Sequence, residues 1–271
     1  MTTLSSLPVT PPELGADARR NLILIERNRV FYSGLLGRPT ARAIGALTVY
    51  ASDRAPLRVR IGSGEWETVQ AAVVAPFVEH QIMGAERHIH CLLIEPEHLD
   101  LAALPQALQP QAFRDHQDEL AARVRLAFGE LAAASSGEGC AALDFDSLFF
   151  SAPLPTRRMD PRIASAVAHI CDDPAGAFSA QDGAAICKLS PSRFLHLFKA
   201  EVGVSFRNFR TWKRARSLLL HAKSPASLTD IALDIGYPDS SYFSHEIRRV
   251  YGLRPKDIVA GSRDLAFHHA G

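Results

Sequence analysis

Along residues 22–95 apolar and β-branched residues come in short runs: LILIE, RVFYSGLL, GALTVYAS, LRVRIG, TVQAAVVAPFV and HIHCLLIE. Gly37-Arg38-Pro39, Gly62-Ser63-Gly64 and Pro76 separate them. Runs of this length between Gly and Pro breakers predict strands, and together a compact β barrel or sandwich over residues 21–98. A Pro-containing tail, residues 1–20, precedes it.

From Leu99 the texture becomes rich in Ala and Leu. Leu120, Val124, Ala127, Phe128 and Leu131 fall at i, i+4, i+7, i+8 and i+11, one apolar helical stripe. Such a stripe either packs back on its own β domain or joins two copies of the chain, so residues 112–133 are the candidate homodimer contact. Residues 134–158 mix small polar and apolar stretches with Pro153 and Pro155, which suits a linker. The expected organisation is therefore a β domain, a helical dimerisation or linker segment over 99–155, and a second domain over 156–271.

In that second domain helix follows helix, each with a legible start. Asp160-Pro161 places an N-cap before a first-turn proline, and Ile163, Val167 and Ile170 form the buried stripe. Ser179, Ser190, Ser205, Ser227 and Asp239 open further helices, with Asp230 three residues after Ser227 as a capping-box variant. Gly203 and Gly252 end two of them.

Composition narrows the class. The chain has 271 residues, 47% hydrophobic and 22% charged, which is globular composition with room for two cores. Cys91, Cys140, Cys171 and Cys187 are far apart, with no zinc or disulfide spacing, and read as buried thiols in a reducing compartment. No run approaches the ~20 apolar residues that cross a bilayer, so a cytoplasmic protein without membrane contact is expected. The net charge of +1 hides an asymmetry: residues 1–155 hold 13 Arg, no Lys and 18 acids, whereas 156–271 hold 17 Lys and Arg against 11 acids. A basic second half is the footprint of a polyanion partner.

The most informative signal is a repeat. FLHLFKAEVG (194–203) and FSHEIRRVYG (243–252) align without gaps at a period of 49, matching Phe194 with Phe243, His196 with His245, Lys199 with Arg248 and Gly203 with Gly252. Each follows a cap and a short helix carrying a small residue, Ala184 or Ala232, where two helices cross. Helix, tight turn and second helix make a helix-turn-helix, at about 179–203 and again at about 227–252. Phe194, Leu197 and Phe198, like Phe243, Ile247 and Val250, form inward faces. The opposite faces carry Ser192, His196 and Lys199, or Ser241, Ser244, His245 and Arg248, groups suited to base edges and phosphates. Between them a helix over 206–222 would act as a rod: Phe206 to His221 spans about 24 Å at 1.5 Å per residue, enough to set two recognition helices roughly one DNA turn apart. Arg207, Arg210, Lys213, Arg214 and Arg216 make it basic, with Phe209, Trp212 and Leu218 to Leu220 as its core side.

From Ser179 to Lys256 these residues resemble the DNA-binding domain of the AraC/XylS family of transcription regulators. The resemblance rests on Ser190, Phe198, Gly203, Arg214-Ala215 and Leu219-Leu220. It is strongest in the run Ile231-Ala232, Gly236-Tyr237, Asp239 to Ser244, Tyr251-Gly252 and Pro255. It implies an all-α unit of seven helices whose two helix-turn-helix units take adjacent major-groove segments of double-stranded promoter DNA. Carried over by position, Ser192, Leu195, His196, Ser240, Ser241, Ser244 and His245 would touch bases. Arg193, Lys199, Arg207, Arg210, Lys213, Arg214, Arg248, Arg249 and Lys256 would hold phosphates. Where this chain has His196 and His245 many relatives carry Arg, and Ile247 replaces a usual Phe. Histidine lacks the two-pronged grip of Arg on guanine, so base preference does not carry over.

Residues 22–97 more faintly resemble the family's cupin-like sensor barrel, chiefly in AAVVAPFVEHQI and LLIEPE. That implies a small-molecule effector of unknown identity and, by family analogy, an activator that contacts RNA polymerase. An enzymatic alternative stays open: His88-x-His90 followed by Glu95, with His80 nearby, imitates a cupin metal motif, since alternate strand positions share a face. The flanking glycines of such a motif are missing, and His80 precedes it. No nucleophile triad and no phosphate loop occurs. A non-catalytic protein without cofactor is expected, against a cupin-like metalloenzyme fused to a DNA-binding module or a ligand-free scaffold.

Overall fold

The structure, a computed structural model, describes residues 21–86, 88–134, 144–261 and 266–269. The tail read at 1–20 and the stretch 135–143 of the expected linker, with Cys140, lie outside the described residues.

The strands are β1 (Leu22–Ile25), β2 (Arg29–Leu35), β3 (Leu47–Ser52), β4 (Leu57–Ile61), β5 (Glu67–Val69), β6 (Ala71–Val74), β7 (His80–Gly84), β8 (His88–Ile94) and, near the C-terminus, β9 (Ala266–His269). They form a six-stranded sheet, β6-β3-β8-β2-β1-β9, and a three-stranded one, β5-β4-β7. All pairings are antiparallel except β1 with β9, so the end of the chain returns to the first domain's sheet. Strands β1, β3, β6 and β8 are buried along their whole length, because both faces of the large sheet are covered. This is why the sequence shows apolar runs rather than alternation.

Register sorts the side chains. Ser33, His90 and Ala51 stand side by side, as do Phe31, Leu92 and Val49. This face lies under α1 (Gln117–Ala134) and α2 (Phe145–Phe150): the Phe31 ring is 4.7 Å from Phe149 and the His90 ring 4.8 Å from Phe128. The other face presents Tyr32, Cys91, Tyr50 and Ala72 towards the small sheet, where Tyr50 Oη lies 2.8 Å from His80 Nε2 of β7.

Two expectations for the middle segment change. Leu120, Val124, Ala127 and Leu131 of α1 are buried against the β domain, so the stripe offered for dimerisation is already occupied. Within the expected linker, Asp144 caps α2, whose Phe145 and Phe149 are buried, while Arg29 holds Asp146 through two bonds of 2.9 and 3.1 Å. LDFDSLFF is an amphipathic helix that belongs to the wall of the β domain.

The second domain holds α3 (Pro161–Asp172), α4 (Ala180–Cys187), α5 (Pro191–Val202), α6 (Phe206–Ser217), α7 (Leu228–Asp234), α8 (Ser240–Tyr251) and α9 (Pro255–Gly261), seven α-helices among the described residues. The connecting rod is α-helical only to Ser217 and continues to His221 as a 3-10 turn. Its two ends serve different cores. Phe206 and Phe209 join Ile163, Ile170, Phe178, Phe194 and Phe198 in a core of their own. Trp212, Ala215 and Leu218 join Ile231, Phe243, Ile247 and Tyr251 in a core continuous with the β domain.

His80 gives this fold a pH dependence. Its Nδ1 lies 2.9 Å from the Val78 carbonyl, so Nδ1–H donates there and Nε2 accepts from Tyr50. Burial holds its pKa down to about 4. An unfolded histidine titrates near 6.5, so between these values the unfolded chain takes up a proton that the folded one refuses. Stability from neutral His80 is complete above about pH 6.5 and is lost as pH falls towards 4, on the order of 3 kcal/mol. Urea unfolding at pH 7 and pH 4.5 should show a smaller loss for His80→Gln than for wild type; equal losses would remove His80 as the titrating group.

Candidate nucleic-acid interface

Both helix-turn-helix units are built by the same local chemistry. In the first, the Ser179 hydroxyl and Asp182 carboxylate make a reciprocal capping box on α4. The helix then closes through Lys188 at φ 54°, with Leu189 N–H donating to the Ala184 carbonyl at 2.9 Å. In the second, Gly236 at φ 83° takes the place of Lys188, and Tyr237 N–H donates to Ala232 at 2.9 Å. Ala184 and Ala232 are both buried, as the crossing of two helices requires. After this shared closure the second turn is one residue longer, passing Pro238 before its cap. Ser190 then caps α5 by accepting from Arg193 N–H, and Asp239 caps α8 by accepting from Ser241 and Tyr242 N–H at 2.8 Å. Left-handed Gly203 and Gly252 end the two helices.

The caps and inward aromatic residues decide which faces remain outside. On α5 Ser192, Arg193, Leu195, His196 and Lys199 are exposed, over buried Phe194 and Phe198. On α8 Ser240, Ser241, His245, Arg248 and Arg249 are exposed and Ser244 is half-buried, over buried Phe243, Ile247 and Val250. Ile247, where a Phe is usual in relatives, is fully buried. Lys256 is exposed at the start of α9. Sequence reading missed Glu246, which is buried and accepts from Arg249 at 3.1 and 3.0 Å, drawing that arginine back onto its own helix. Glu246 also lines, with Arg207, Asn208, Thr211, Tyr242 and Arg249, a groove of about 380 Å³ between α6 and α8.

The basic rod divides. Arg207 is exposed. Arg210 and Arg214 are half-buried and donate to the carbonyls of Gly176 and Pro174 at 2.9 and 3.1 Å, which fixes the α3–α4 connection. Lys213 corrects the sequence reading. It is buried, with Nζ 2.6 Å from Glu95 Oε2 and 2.5 Å from Glu97 Oε1, so it holds no phosphate here. Arg216 Nε lies 2.7 Å from Glu95 Oε1, and the Trp212 indole N–H donates to Glu95 at 2.8 Å. Burial pushes Glu95 upward, but Lys213 and Arg216 outweigh it and hold the carboxyl below its usual range. Burial and the neighbouring Glu95 raise Glu97, and Lys213 is raised because the two glutamates outweigh its desolvation.

The three histidines weighed as metal ligands do not converge. His80 faces the small sheet beside Tyr50, whereas His88 and His90 stand on the opposite face of the large sheet, each 3.8 Å from Asp53. No cluster of three or more potential metal ligands occurs among the described residues. No helix among them is long and apolar enough to cross a membrane.

Comparison with known proteins agrees with this geometry. Residues 184–260 match the family model of a helix-turn-helix domain. The chain is 30% identical over 105 residues to the arabinose operon regulatory protein of Salmonella typhimurium, covering 38% of this chain and 37% of that protein. It is 34% identical over 86 residues to the transcriptional activator RhrA of Rhizobium meliloti, covering 31% of this chain and 27% of that one. The matches thus span well under half of these relatives. Among solved structures, apo ToxT from Vibrio cholerae strain SCE256 superposes at a TM-score of 0.51 with 11% identity, over 86% of this chain and 97% of that one, which places the two-domain fold.

Replacing Lys213 by Ala would leave two carboxylates buried without their main cation, an expected loss of about 3–5 kcal/mol. Urea unfolding measures it, and a loss under about 1 kcal/mol would show that the glutamates reach water.

Proposed function

From the match of residues 184–260 to a helix-turn-helix domain, we propose that the chain is a sequence-specific regulator of transcription of the AraC/XylS kind. The observation that carries this reading is the matched exposure of α5 and α8, two capped recognition helices presenting serines, a histidine and flanking cations at repeat-related positions. In this reading His196 and His245, with Ser192, Leu195, Ser240, Ser241 and Ser244, meet base edges in adjacent major-groove segments. Arg193, Lys199, Arg207, Arg248 and Lys256 neutralise phosphates. The β domain senses a small-molecule effector, and the regulator activates by contact with RNA polymerase. Support for these last points is the resemblance to regulators and to a transcriptional activator over part of their length. In this reading the chain works by binding rather than catalysis, which is supported by His80 standing on the other face of the sheet from His88 and His90 and by Glu95 being taken up by Lys213 and Arg216.

The DNA reading is tested by two classes of substitution against a duplex selected by the chain from a random-sequence pool. His196→Ala or His245→Ala should weaken that duplex by about 1 to 3 kcal/mol and relax preference at a few bases. Arg207→Ala or Arg248→Ala should weaken all duplexes alike and lower the salt slope by about 1. Selection of no duplex, or binding indifferent to salt, would overturn the reading.

A further inference from the structure

The segment that ends strand β8 holds both helix-turn-helix units at once. Glu95 and Glu97 grip Lys213, Arg216 and Trp212 of α6, on the side of the rod that carries the second unit, whose Tyr251 hydroxyl donates to the Ala215 carbonyl at 3.3 Å. Towards the first unit, Cys171 of α3 lies 3.9 Å from Glu97, and Asp100 N–H donates to Pro155 at 2.9 Å. The Arg157 guanidinium bridges the Leu99 carbonyl, at 3.1 Å, and the carbonyl of Glu201 near the end of α5. A buried cluster of this kind is a poor source of stability, since apolar residues of the same volume would hold as well or better. Its distinguishing property is that it closes only when all its members are in register, and its charges regain hydration when they part. It also stands at the end of a strand whose other residues line both faces of the large sheet, so a displacement inside the sensor moves Glu95 and Glu97 along the strand.

We infer that Glu95 and Glu97 are positioning residues that latch the β domain to α6 and couple its state to both recognition helices. Only the DNA arm of the test rests on the second domain being a DNA reader. The full-length Glu95→Gln/Glu97→Gln variant keeps shape and hydrogen-bonding capacity but removes the negative charge. By calorimetry the wild-type chain should unfold in one transition and the variant in two, one for each domain. A single transition merely shifted to lower temperature would overturn the inference, since that is all a structural role predicts. Added duplex, selected by the wild-type chain from a random pool, should raise the whole wild-type transition but only one of the variant's two. If no duplex shifts any transition, the DNA reading fails while the splitting still decides the latch. Should the variant not fold, wild-type hydrogen exchange decides. DNA should slow exchange at His98, Leu99 and Asp100 together with α8, and slowing confined to α8 would overturn the coupling.

Discussion

Four charges meet out of water where the end of β8 reaches α6: Glu95 and Glu97 from one domain, Lys213 and Arg216 from the other. Each alone would cost several kcal/mol in that position, so the two domains are constrained to meet with their charges paired. The constraint extends outward from there. Because Lys213 is held, Trp212 lies against Tyr251 with ring centres 6.0 Å apart, and the core of the second unit becomes continuous with that of the β domain. Ala43 N–H donating to the Arg249 carbonyl at 3.0 Å, and Thr40 donating to Gly252, close the same contact from the loop between β2 and β3.

The two recognition units are therefore copies in chemistry but not in mounting. The first is built around its own aromatic core, with Phe194, Phe198 and Phe206 in mutual edge or tilted contact at 5.3 to 5.7 Å. The second leans on the β domain for part of its core and carries a turn one residue longer. A change in the β domain thus reaches the second unit through packing, and the first only through α6 and the segment 95–100. If both units read DNA as proposed, their unequal supports are a means of making one half-site conditional on the other.

Local chemistry was legible in the sequence and long-range pairing was not. Every helix cap expected from Asp160 to Asp239 is made, and the repeat lies on two recognition helices, because caps and 3.6-residue stripes depend on neighbours within a turn. Lys213 was misread because a cation on a basic helix looks the same whether it faces phosphate or a carboxylate 118 residues earlier. For the same reason Glu95 read as the carboxylate of a cupin-like metal motif, whereas it pairs with Lys213 and Arg216 of α6. Alternation correctly put His88 and His90 on one face, but only strand order decides that this face lies under α1 and α2. The strand at 266–269 gave no local signal of the sheet it joins.

The charge asymmetry between the halves overstates what the second domain can offer a polyanion. Of the nine cations read as phosphate contacts, Lys213 is neutralised by glutamates, Arg210 and Arg214 hold backbone carbonyls, and Arg249 is held by Glu246. Arg193, Lys199, Arg207, Arg248 and Lys256 are the exposed remainder, and none of the five forms an ion pair among the described residues. If the domain reads DNA as proposed, a footprint of five rather than nine gives a correspondingly shallower salt dependence and places more of the discrimination on His196 and His245. In that reading each of the two imidazoles would offer a base a single ring edge. On the proposed reading, sequence preference comes from two separated readings combined by the rod between them, which makes the rigidity of α6, and so the cluster that holds it, part of the specificity.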